Sequence, residues 1–104
     1  MTTDIVLRYV MDNKEEIAAL YPLALDMTND QIEVGLTDNS KKDFNTYINF
    51  LSLVALNVGV ALDIEEKEME ELLEDELILS YLYNKIVKPY RGEVSKTQCQ
   101  IKES

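Results

Sequence analysis

Histidine and tryptophan are absent from this chain, cysteine occurs once, proline twice and glycine three times. Without histidine, the most frequent general base and a common zinc ligand are missing. Cys99 stands between Gln98 and Gln100 with no motif that would activate a thiol, so it is read as an ordinary tail thiol rather than a nucleophile. Carboxylate pairs of the glycosidase type need a carbohydrate cleft, usually lined with aromatics, and here there is no tryptophan to line one. Gly35, Gly59 and Gly92 are too far apart to form a phosphate-cradling loop. The one calcium-like stretch begins at Asp26, but it has Gln31 where the loop needs glycine and Thr37 where it needs a bidentate glutamate. These absences point away from an enzyme, and no cofactor or metal is expected.

Positive charge is also scarce. Ten lysines and arginines face twenty aspartates and glutamates, a net charge of −10 and a pI near 4.3. Nucleic-acid phosphates and anionic membrane surfaces would be repelled by such a chain, whereas a basic protein partner would be attracted. A lone cysteine cannot close an intramolecular disulfide, and Met1 to Asn13, with an acid at Asp4, is not read as a signal peptide. The expected setting is the reducing cytoplasm.

Against this background stands Phe44 to Leu62, nineteen residues without a formal charge. Read as a helix, it places Phe44, Ile48, Leu51, Ala55, Val58 and Leu62 at the spacing of a buried seam. Phe50, Leu53, Val54, Leu56, Val60 and Ala61 fall off that seam, so burial on several sides is expected. A polar line of Asn45, Asn49 and Ser52 is expected to reach water or a polar partner. Leu51→Asp is expected to unfold the domain. The competing reading of the run is a membrane span. Its asparagines, Gly59 and the lack of aromatic anchors at both ends favour a soluble core helix instead.

Around this run the chain reads as helical throughout. Thr3 or Asp4 can cap a first helix, and Asp12-Asn13 interrupts it before a second. Pro22 is expected to force a kink or restart, with Pro22 in the first turn of the new piece. Residues 28–37 alternate partly like a strand, but no partner strand is evident, so a helical turn and loop is expected. Asn39 or Ser40 is a candidate cap for the central helix. Asp63 resembles the start of a capping box for a last helix ending before Pro89. The fold class is therefore all-α: a compact bundle of about four to five helices, with a buried central helix (about 40–62) packed against a long C-terminal helix (about 64–88). Residues 1–92 form one domain, and 93–104 read as a flexible polar tail.

Residues 63–76 carry −8 of the net −10. Acids in a first helical turn are favoured by the macrodipole. Glu66, Glu70 and Glu74 repeat at i, i+4 beyond that turn, each like-charge pair costing about 0.2–0.5 kcal/mol. A solvated face, the usual fate of a charge run, accounts well for the first turn and less well for the turns after it. The functional reading set against it is a binding ridge of Glu66, Glu70, Glu71, Glu74 and Asp75, offered to a basic cleft. Glu76 falls on the apolar line between Leu72 and Leu79 and is either at its edge or a buried acid in need of a partner. Tyr83, Lys88, Tyr90 and Arg91 form a candidate second contact patch, for which the simpler reading is tyrosines edging the core.

The leading expectation is a small acidic, cytoplasmic, non-enzymatic protein that blocks or inhibits a basic, nucleic-acid-handling protein, acting as a nucleic-acid mimic. Phage-encoded antagonists and nuclease immunity proteins share this size and charge, which is an analogy of type alone. The alternatives are a structural or assembly subunit, held as a homodimer by its apolar seam, and a membrane-associated accessory protein.

Overall fold

The computed structural model describes residues 2–90. Among them every regular element is helical: α1 (Thr2–Asp12), α2 (Lys14–Ala18), α3 (Leu20–Glu33), a 3-10 turn (Asn39–Lys41), α4 (Lys42–Leu62), α5 (Glu66–Leu72), α6 (Glu76–Leu82) and a π-turn (Tyr83–Val87). The chain is the all-α bundle that its periodicity implies. Gly92, Cys99 and the tail at 93–104 lie outside the described residues.

The N-terminal helices break where their sequence requires it. Asn13 separates α1 from α2, its side-chain amide donating to the Tyr9 carbonyl at 2.9 Å. Pro22 sits in the first turn of α3, where its missing amide hydrogen costs no helical bond. Residues 28–33 continue α3 rather than forming a turn, and Gly35, at φ 81°, takes the left-handed conformation that glycine adopts without strain.

Neither Asn39 nor Ser40 caps α4; both lie in the 3-10 turn that precedes it, and that turn is capped by Asp38. The Asp38 carboxylate accepts from both the amide and the hydroxyl of Ser40. That hydroxyl is the main reason the Asp38 pKa lies below its ordinary value of 3.8, with Lys41 adding a smaller attraction. A depressed carboxylate pKa stabilises the fold above the unfolded value, and this contribution fades as pH falls through the lowered folded value.

α4 folds back antiparallel to α3, and no other pair of helices among the described residues touches so extensively. Its buried face is Thr46, Phe50, Val54, Val58 and Gly59. This corrects the expected seam. Phe44 and Ile48 are 62% and 43% exposed, Leu56 and Val60 are 58% and 83% exposed, and only Val58 of the expected six is fully buried. Leu51, Ala55 and Leu62 are half-buried against the core. α4 thus buries one face, shared among α3, α1 and α5, and leaves a stripe open, instead of being enclosed all round. The polar line divides: Asn45 donates to the Thr37 hydroxyl, and Asn49 donates to Thr28 Oγ1 at 2.9 Å and Gln31 Oε1 at 3.0 Å. Ser52 points away from α3, its hydroxyl returning to the Ile48 carbonyl at 3.2 Å.

Two features close α4 onto α5. Asp63, expected to open a capping box, instead ends α4 in the left-handed conformation at φ 55°. The Ile64 amide then donates back to the Gly59 carbonyl at 2.9 Å. A Cβ on Gly59 would lie 3.1 Å from Met69 Cγ and 3.2 Å from the Ile64 carbonyl oxygen. Gly59→Val is therefore expected to lower the unfolding free energy by about 1–3 kcal/mol through overpacking. Urea denaturation followed by circular dichroism would measure it, and an unchanged midpoint would show that the α4–α5 corner is loose.

The long C-terminal helix is the second correction. It breaks at residues 73–75, where Asp75 turns to ψ 128° and its carboxylate accepts from the Leu77 amide at 2.9 Å and the Ile78 amide at 3.4 Å. The break resets the helical phase. Leu73, Ile78, Leu82, Ile86 and Val87 enter the core, and Glu76 is exposed. α6 packs on α1, not along α4.

Candidate functional site

The short α5 stands against α4 across an open groove of about 320 Å³. The groove floor comes from Ile48, Leu51, Ala55 and Leu56 of α4 together with Leu73, and Ser52 contributes the only polar group from α4. Its rim is Glu66, Glu70 and Glu74. The floor follows from the phase of α4: turning Phe50, Val54 and Val58 into the core necessarily turns Ser52 and Leu56 outward, since side chains two positions away lie roughly opposite on a helix. The rim follows from α5, whose buried Met69 anchors one face and leaves Glu66 and Glu70, one turn apart, on another.

Four of the five expected ridge residues, Glu66, Glu70, Glu71 and Glu74, are exposed. Among the described residues none of these four carboxylates is paired with a lysine or arginine. The fifth, Asp75, is only partly exposed, and its carboxylate is engaged in capping α6. Asp75→Ala is expected to destabilise the fold by about 1 kcal/mol. Asp75→Asn, which keeps the cap and removes the charge, should melt within a degree or two of wild type by calorimetry; equal loss in both variants would mean the charge, not the cap, stabilises this corner.

The second patch is not a single surface of free side chains. Tyr83 meets Tyr47 edge-on, with ring centroids 6.0 Å apart, while Tyr90 packs on Tyr21 at 4.7 Å, and Tyr21 in turn touches Phe50 at 5.6 Å. Lys88 is exposed, and Arg91 lies outside the described residues. Tyr90 thus extends the aromatic core, the simpler of the two readings offered by the sequence.

The sequence reading expected Ser52 to reach water but missed Ile48 and Leu56 as the surface beside it. A signal existed: Phe44, Ile48, Ser52, Leu56 and Val60 recur every four residues with one serine among them, the composition of a half-wet face. No group of three or more histidine, cysteine or carboxylate side chains among the described residues is arranged to hold a metal ion. Asn39–Leu62 is long and apolar enough to cross a membrane by length and composition, with mean hydropathy 1.4. No family model, curated protein or solved structure matches the chain.

Proposed function

We propose that this protein works by occupation and not by catalysis, binding a basic, nucleic-acid-handling protein in the cytoplasm and blocking it. The observation that carries the reading is the α5 rim: Glu66, Glu70, Glu71 and Glu74 all face solvent without a cationic partner among the described residues. Side chains that repel one another in the free protein gain most from a cationic surface, and the surrounding −10 charge steers such a surface toward them. A cleft that normally receives phosphates presents the required lysines and arginines.

The test is affinity capture from cells that produce the chain, followed by titration of the captured protein's DNA or RNA binding with purified chain. Displacement of nucleic acid that weakens as salt rises supports the reading. A captured partner that is acidic, or one whose nucleic-acid binding is untouched, contradicts it.

The open stripe of α4 favours a second reading, that of a homo-oligomeric assembly subunit. Exposed apolar surface that is contiguous marks an interaction site more often than scattered residues do. A melting temperature that rises with protein concentration would support this alternative, because assembly stabilises by mass action.

A further inference from the structure

We infer that the groove between α4 and α5 receives one face of an amphipathic helix that carries leucine-sized anchors on its apolar side and lysine or arginine beside them. This rests on the blocking-protein reading above and specifies which segment of the basic partner is held. The floor supplies the apolar half of the recognition. Ile48 and Leu56 are two turns apart on α4, about 12 Å at 1.5 Å per residue, which matches the spacing of anchors at i and i+7 on a docked helix. Leu56, at 58% exposed, gains most from being covered. The rim supplies the polar half: Glu66, Glu70 and Glu74 border the groove and meet the basic flank of a helix lying in it.

Charge separates this occupant from the others that an apolar groove admits. A second copy of the chain brings its own −10 and its own glutamate rim, so self-docking sets like charges against each other. An anionic bilayer surface is repelled for the same reason. A basic amphipathic helix satisfies both halves of the site at once.

The probe is a synthetic leucine–lysine peptide of about five helical turns with its leucines on one face, compared with a scrambled peptide of identical composition. Binding to the full chain is followed by fluorescence anisotropy at low salt. At least ten-fold tighter binding of the ordered peptide is expected, and this preference should vanish in the Ile48→Ser/Leu56→Ser variant, whose two sites are exposed. The wild-type comparison stands even if that variant folds poorly. Equal binding of the ordered and scrambled peptides overturns the inference while leaving the electrostatic reading intact. Failure of both peptides to bind removes the inference and the blocking-protein reading together. Sedimentation of the chain as a dimer that Ile48→Ser/Leu56→Ser dissociates would give the groove to a second copy, and co-sedimentation with phosphatidylcholine vesicles would give it to lipid; either result overturns the proposal.

Discussion

Phe50→Ala is expected to lower the unfolding free energy by about 3–5 kcal/mol, whereas Phe44→Ala is expected to change it by no more than about 0.5 kcal/mol. Both residues lie on α4, six positions apart in a run that is apolar on nearly every side. Phe50 is completely buried, with its ring tilted against Tyr21 at a centroid distance of 5.6 Å. Phe44 is 62% exposed. Small domains unfold with about 5–15 kcal/mol, so the first substitution removes a large share of the stability and the second almost none. Urea denaturation monitored at helical wavelengths measures the pair. Equal losses would mean that Phe44 belongs to the core, and the groove floor described above would then be misplaced. By the same logic, the charge that prevents folding belongs at the fully buried Val54 and not at half-buried Leu51.

The second large effect concerns binding. Combining Glu66→Lys, Glu70→Lys and Glu74→Lys is expected to weaken partner binding roughly 100-fold at low salt, about 1 kcal/mol for each reversed rim charge. The fold should survive, because all three side chains are exposed and the less favourable charge at the start of α5 costs only about 1 kcal/mol. Competition binding against wild type, with circular dichroism as the folding control, gives the number. A triple variant that remains folded and binds as tightly as wild type would show that the acidic rim is only a solvated face.

How much of this was legible in the sequence depended on how decisive each local signal was. The helical class was legible because apolar residues recur at helical spacing and no paired strand pattern competes. Asn13 and Pro22 marked their breaks through chemistry that acts within one turn. The phase of α4 was not legible: with apolar residues around most of the circumference, several faces qualified as the buried one, and the choice was made by Tyr21, Thr28 and Gln31 on α3. Thr28 and Gln31 hold Asn49, and Tyr21 holds Phe50, none of which can be paired from one sequence alone.

The break in the C-terminal helix did leave a trace. On an uninterrupted helix Glu76 fell on the buried line, an expensive place for an unpaired carboxylate. That misfit reflected a change of phase, and the aspartate that produces it, Asp75, sits immediately before Glu76. The acidic rim was legible as a concentration of charge. Its neighbour, the apolar floor, was hidden by the same uncertainty in the phase of α4, since a residue assigned to the core is not considered as surface.

An amide NMR titration of the chain with the ordered leucine–lysine peptide tests the central claim most directly, that α4 and α5 together form the binding surface. Shifts should cluster at residues 48–56 of α4 and 66–74 around α5, and leave the α1–α6 face unchanged. Shifts confined to α1 and α6, or spread evenly over every acidic residue without affecting Ile48 and Leu56, would contradict it.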